Sequence, residues 1–282
     1  MLNMFKKKQL DPKAELQAVL GGYELPSFPA LIMHALDKVR DENASLSEIA
    51  ELVAADPGLS ARLLKTVNSA AYALNHKVKN IDHAVSLMGR GELESIIITL
   101  AVSKVLPVEH GSGIDLRSFW HAAARRAAVA RGLADLIDPS SRSESFTAAL
   151  LQDMAIPVLA RQRADDYLPV LESWRESDTD LAVLEREVFD WDHAMVATWM
   201  CDMWDFPERI ASAISAHHGA VADGSQPLPV VSLVAVLREG EPSGMDALVE
   251  TVHASYGLPL EQLDLLATSS ETAADEIARM LI

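Results

Sequence analysis

Along almost the whole chain the apolar positions recur three and four residues apart, and no stretch alternates apolar and polar residues at period two. In "ASLSEIAELVAA" Leu46, Ile49, Leu52 and Val53 fall on one face, and Ser45 with Glu48 has the spacing of a capping box. "ADPGLSARLLKTVNSAAYAL" restarts the pattern, with Asp56 as cap and Pro57 at the first helical position, where a missing N–H costs nothing. Further helices are predicted over 29–40, 81–105, 117–137, 146–160, 165–175, 180–188, 192–203, 207–218, 228–239, 244–255 and 260–281. The fold class that follows is all-α. Two stretches read as connectors, "PVEHGSGIDL" (107–116) and "GAVADGSQPLP" (219–229), and both are too short to be independent flexible linkers, so the pieces they join should pack together.

Composition narrows the possible roles. With 282 residues, 49% hydrophobic and 23% charged, the chain has the length and apolar content for a sizeable core rather than for disorder. No run reaches the roughly 18 apolar residues of a membrane span, and "MLNMFKKKQL" lacks the apolar centre of a secretory signal, so a cytoplasmic location is expected. A formal charge of −17 works against phosphate-backbone binding, which leaves nucleic acid and anionic membranes as poor partners. The basic cluster Lys6 to Lys8 reads as a solvated tail, and the lone Cys201, in an apolar stretch, as a buried and inert thiol.

Most catalytic signatures are missing. There is no P-loop, HExxH or GxSxG, and "GRGELE" lacks the third glycine and the preceding strand of a dinucleotide fingerprint. The helix pair at 45–74 has the outline of a helix-turn-helix, but its second helix offers only Arg62 and Lys65 to DNA, which favours a packing role. What remains is a scattered set of metal-ligand types: His121, Asp153, His193, His217 and His218. Imidazoles and carboxylates from separate helices can converge in a helical core on a metal that activates water. Adjacent residues on a helix point in different directions, so only one of His217 and His218 is expected to face such a centre. Asp153, next to Gln152 inside the apolar run "AALLQDMAIPVLA", needs partners for its charge.

"LPSFPALIMHAL", "SLSEIAELVAADPGLSARLLKTVNSAAYAL" and "IDHAVSLMG", followed by Phe119 and Trp120, "SFTAALLQDMA", "FDWDHAMVATWMCDMWDFP" and "AISAHHG", together resemble the HDOD family, a bacterial output domain related to the HD superfamily of metal-dependent phosphohydrolases. The motifs occur in order from Leu25 to Gly219. The resemblance implies an HD-superfamily-like helical bundle with an additional N-terminal helical half. Residues 1–24 would be an N-terminal segment, 25–219 the domain with halves at 25–108 and 115–219, and 220–282 a C-terminal helical extension packed on it.

The same resemblance bears on catalysis. Asp153, His193, His217 and His218 match ligand positions of catalytic relatives, whereas Gln152 stands at the histidine that precedes the aspartate. The first family histidine falls on Ala122, with His121 one place out, and the distal aspartate on Val236. Asp190 and Ala197 also stand where the family tends to carry glycine. The implied role is a non-catalytic module of bacterial signal transduction that binds signalling proteins and uses no cofactor or metal, Asp153, His193, His217 and His218 being vestigial-site residues. No sensory domain is recognisable, so the input is expected from a separate protein. The alternatives are a phosphohydrolase with an unusual centre built from Asp153, His193 and one of His217 or His218, and a DNA-binding regulator using residues 45–74. Asp153 is expected to be held by a nearby histidine or by backbone N–H groups.

Overall fold

The structure is a computed structural model, and it describes residues 11–69, 76–106, 113–219, 228–238 and 243–281. Every regular element among them is helical. Lys6 to Lys8, residues 70–74 of the second predicted helix, 107–112 and 220–227 of the two connectors and residue 239 lie outside the described residues.

The N-terminal half comprises α1 (Pro12–Val19), α2 (Ala30–Arg40), α3 (Leu46–Ala54), α4 (Pro57–Val67) and α5 (Ile81–Val105). The short α1 has no counterpart among the predicted helices. Asp11 caps it through Lys13 N–H at 3.1 Å, Pro12 opens it, and only Leu16 and Val19 within it are buried, too few to make a periodic signal. The capping box of α3 is formed, with Glu48 N–H donating to Ser45 Oγ at 3.2 Å and Ser45 N–H to Glu48 Oε2 at 2.7 Å. Asp56 caps α4 through Gly58 N–H at 2.7 Å and Leu59 N–H at 3.0 Å. That helix stops at Val67, earlier than its pattern predicts, because the Asn68 side chain takes over its end. Asn68 Nδ2 donates to Leu64 O at 2.7 Å and to Val78 O at 2.9 Å, while Val78 N–H donates to Asn68 Oδ1 at 2.7 Å.

"GRGELE" also finds its role in α5. Gly89, with φ 72°, breaks the helical run in a conformation that costs other residues strain. Arg90 beside it donates to Val39 O and Asp41 O, each at 2.9 Å, and to Ala44 O, gathering the carbonyls of the α2–α3 turn.

The second half contains α6 (Leu116–Ile137), α7 (Arg142–Leu151), α8 (Ala155–Gln162), α9 (Ala164–Arg175), α10 (Leu181–Phe189), α11 (His193–Met203) and α12 (Glu208–Ser215). After it come α13 (Pro229–Val234), α14 (Ser243–Tyr256) and α15 (Leu260–Leu281). The alanine-rich α6 runs through the middle and packs on α7, α13 and α15. At Gly132 a Cβ would come within 2.8 Å of Leu266 Cδ1, which shows how closely α15 lies on α6.

The single helix predicted over 146–160 is two helices, α7 and α8, with a turn at Gln152 to Met154. Pro157 supplies the reason. It has no N–H to donate to Asp153 O, its partner four residues back, and its ring crowds that carbonyl. Asp153 O accepts Ile156 N–H at 3.0 Å instead, in a tighter turn. The predicted helix over 207–218 likewise ends at Ser215, so His217 and His218 sit in a turn beyond it.

The two halves share one continuous cluster of buried side chains that reaches from Leu16 to Leu281. Phe28 stacks on Trp204 with ring centroids 4.9 Å apart, and Trp204 Nε1 donates to Pro26 O at 3.1 Å. Arg40 donates to Glu94 Oε1 at 2.6 Å and reaches Asp205 Oδ2 at 3.1 Å. Deeper in, Arg131 of α6 pairs with Glu92 of α5 at 2.7 Å, and the Ser143 hydroxyl at the start of α7 donates to the other oxygen of Glu92. Because Phe28 is buried at this seam, Phe28→Ala should lower the free energy of unfolding by about 3–4 kcal/mol, read from urea denaturation followed by circular dichroism. A change below about 0.5 kcal/mol, the range of ordinary surface substitutions, would show that the seam does not depend on this ring.

Candidate metal centre

Each candidate side chain is placed by the end of a helix. Asp180 caps α10, accepting Ala182 N–H at 2.8 Å, and its Oδ2 lies 2.9 Å from His218 Nδ1. The helix ends on Asp190 with φ 62°, the left-handed position where glycine is the usual choice and aspartate is tolerated. Asp192 then caps α11 through Met195 N–H at 2.8 Å, while Arg186 Nε grips its other oxygen at 2.6 Å. These contacts fix His193 as the first residue of α11. Its backbone N–H and its Nδ1 both bind Glu185 Oε2, at 2.8 and 2.6 Å. Glu185 is fully buried, and its second oxygen accepts the Tyr167 hydroxyl.

His217 directs its Nδ1 to Ile214 O at 2.6 Å. All three imidazoles therefore have Nδ1 engaged by an acceptor, which in the neutral rings puts the lone pair on Nε2. The three Nε2 atoms meet at one place. His193 Nε2 is 3.3 Å from that of His217 and 2.8 Å from that of His218. Asp153 Oδ1 approaches two of the three, 3.3 Å from His217 Nε2 and 3.5 Å from His193 Nε2. The expectation that only one of the adjacent histidines faces the centre is thus corrected. In the turn after α12 they escape the 100° rotation that a helix imposes on neighbours, and both face inward.

The closest partner of Asp153 is neither a histidine nor a backbone N–H. Arg126 Nη2 of α6 lies 2.7 Å from Asp153 Oδ2, and Arg126 Nη1 donates to Leu237 O at 3.1 Å. Sequence reasoning missed Arg126, Glu185 and Asp180. A signal for the first was present, since two consecutive arginines in the alanine run "AAARRAAVARGLA" put at least one guanidinium into the helix interface.

The other candidates lie apart. His121 is half-exposed and pairs with Asp275 at 3.0 Å. Gln152 is buried, its Oε1 has no hydrogen-bond partner among the described residues, and no hydrogen bond ties it to the imidazoles. Ala122 faces the cleft beside Arg126 and Asp153, and Val236 is 48% exposed at the surface. Cys201 is buried, and burial pushes its thiol up, as an inert role requires.

The charges here decide one another. Burial alone would raise the Asp153 carboxyl, but the Arg126 guanidinium, then His193 and His217, outweigh it and hold the group well below the usual carboxylate range. Burial would lower His193, yet Glu185 and Asp153 push it up to about 10. His217 goes the other way, down to about 4, chiefly through burial, with the charge of His218 adding to it. At Asp180 burial opposes and the His218 contact prevails, bringing it to about 2. Three ring nitrogens and a carboxylate oxygen at these separations require positive charge among them. Either a proton on His193 Nε2 or a metal ion can supply it.

The sequence model of the HDOD domain matches residues 25–220. An uncharacterized protein of Treponema pallidum (strain Nichols) is 24% identical over 213 residues, and the match spans 75% of this chain but only 41% of that protein's length. A solved structure from Shewanella amazonensis SB2B, provisionally named a phosphohydrolase, superposes with a TM-score of 0.75 at 23% identity, covering 96% of this chain and 99% of its own. An HDOD domain protein with unknown function from Geobacter sulfurreducens gives 0.70 at 21% identity, covering 96% and 98%. At such identities the structural likeness speaks for the fold.

Removing the guanidinium leaves Asp153 without its closest cation, so Arg126→Met should cost about 3 kcal/mol of stability at pH 7. The folded carboxyl titrates below its unfolded value of about 3.9, so its contribution is present above that pH and lost as the pH falls towards the folded value. The gap between wild type and variant, measured by urea denaturation, should therefore narrow as the pH falls from 7 to 3, because burial without Arg126 makes the variant's carboxyl take up a proton before that of the wild type. A gap that is the same at pH 7 and at pH 3 would assign the loss to packing instead of charge.

Proposed function

The chain belongs to the HDOD domain family, and on that premise we propose that it is a non-catalytic module of bacterial signal transduction, acting through contacts with signalling proteins. The observation that carries this reading is the small size of the cleft beside Asp153. The cleft there measures about 40 Å³, whereas small-molecule sites take about 300–1,000 Å³. Phe119, Ala122, Arg126, Ile156 and Trp174 form much of its wall. Asp153 is the one carboxylate among the lining residues, and Arg126 engages its Oδ2, which leaves a single oxygen for any other task. Hydrolysis of a phosphate ester needs a placed water, a proton acceptor and room for the ester between them. That space is far smaller than a nucleotide needs.

Other features support contact with proteins. The formal charge of −17 disfavours phosphate backbones as partners. The shared core and the Phe28–Trp204 and Arg40–Glu94 contacts make the two halves a single body, suited to presenting one surface. No helix of the described residues is long and apolar enough to cross a membrane.

A second reading, a metal-dependent phosphohydrolase, is favoured by one observation, the convergence of His193, His217 and His218 with Asp153 beside two of them. Turnover separates the two. Protein purified without chelators and supplied with Mn²⁺, Fe²⁺ or Zn²⁺ should hydrolyse bis(p-nitrophenyl) phosphate and a panel of cyclic and linear dinucleotides no faster than the metal alone. Turnover that disappears in His193→Gln would overturn the non-catalytic reading.

A further inference from the structure

The outer face of α11 leaves large apolar side chains in solvent. Met195, Trp199 and Met203 are four residues apart, so they form one ridge about 12 Å long on the helix. Met195 is 42% and Met203 38% exposed, and the indole of Trp199 between them is half-buried. The opposite face of the same helix already supplies Ala197, Met200 and Cys201 to the core. A single exposed apolar residue is ordinary on a protein surface, but three in register have the composition of an interface. Tryptophan and methionine are enriched at the centres of such interfaces, tryptophan as an anchor and methionine because its unbranched thioether adapts to a partner's shape.

The charges along this part of the chain have one sign. From Glu187 to Glu208 there is no lysine or arginine, while six positions are acidic: Glu187, Asp190, Asp192, Asp202, Asp205 and Glu208. Asp192 is buried and held by Arg186, and Arg40 reaches Asp205. The other four are exposed and have no ion pair among the described residues. Asp202, three residues after Trp199, shares the face of the ridge. A second copy of this chain docked face to face, or an anionic membrane, would bring negative charge against that carboxylate. A partner that covers the ridge favourably has apolar residues flanked by lysine or arginine. We propose that the exposed face of α11 docks an amphipathic helix of another protein, which lays leucine-class side chains on Met195, Trp199 and Met203 and sets its cations against Asp202 and the neighbouring carboxylates. The inference rests on the reading of this chain as a protein-contact module and assigns the surface and the chemistry of the contact.

The test is site-specific capture by the full chain. The photo-cross-linker p-benzoyl-phenylalanine is placed at Met195 or Met203, and separately at Leu265 of α15, 67% exposed, as a surface control. After illumination in cells of its own source, the captured segment is sequenced by mass spectrometry. The two α11 positions should capture the same basic, amphipathic segment of another protein, and Leu265 should not. That segment, synthesised with a fluorescent label, should bind the purified full chain, read by anisotropy. Met203→Glu should weaken the binding at least about 10-fold and Asp202→Lys about 5-fold or more. Both positions are exposed, and folding is checked by circular dichroism. Raising the salt from about 50 to about 500 mM should weaken binding to the wild type more than to Asp202→Lys. Capture of this chain itself, capture of a segment without basic amphipathic character, capture of nothing, or an affinity unchanged in both variants would each overturn the proposal. Capture of a protein at Leu265 alone would overturn this surface and leave the protein-contact reading standing, which turnover tests separately.

Discussion

The second half of the molecule is organised around one carboxylate that cannot be left alone. Asp153 sits where Pro157 forbids the helix to continue, so its side chain emerges from a turn in the middle of an apolar layer. A charge there persists only if paired, and the pairing draws in four elements. Arg126 brings α6 and, through Leu237 O, the end of the segment after α13. His193 brings α11, and His217 the turn after α12. The relative placement of these elements is therefore set by electrostatics as well as by the alanine-rich packing around α6.

That arrangement also governs what chemistry is open to the site. Arg126 acts as a permanently charged, covalently tethered cation on one oxygen of Asp153, and the other oxygen is shared with the imidazoles. The Tyr167 hydroxyl, Glu185 and His193 form a buried chain behind the imidazoles, with every polar group in it engaged. Such a chain makes the histidine cluster rigid. The cleft on the other side of Asp153 is narrow, about 40 Å³, and Arg126 occupies the carboxylate oxygen that faces it.

The N-terminal half is bound into this scheme by contacts of a different kind. Phe28 and Trp204 supply apolar area at the seam, and Arg40 joins Glu94 of α5 to Asp205 at the end of α11. The buried Arg131–Glu92 pair links α5 to α6 close to where α7 begins. Displacing one half relative to the other would strain these pairs, so the positions of the N-terminal helices and of the helix ends that carry His193 and His217 are mechanically linked.

Much of the fold was legible in the sequence because helices are local objects. The period of apolar residues, the capping box at Ser45 and Glu48, and Asp56 before Pro57 each act within a few residues, and the structure has them where the pattern puts them. The ordered motifs likewise identified the family, and they singled out Asp153, His193, His217 and His218, which the structure brings near one another. The errors arose where a distant atom outvoted the local pattern. Asn68 ends α4 by binding Val78, and α1 exists because α11 is there to cover it. The turn that aims both His217 and His218 inward is a property of the chain path after α12, invisible to a periodicity that continues through it. Arg126 is the clearest case. Its neighbours in sequence give it no partner, and its role depends on a carboxylate 27 positions away that a helix break turns towards it. Sequence determined which side chains were available and the helices that carry them. Tertiary structure alone decided which charges meet, because that depends on where helices end and cross in space.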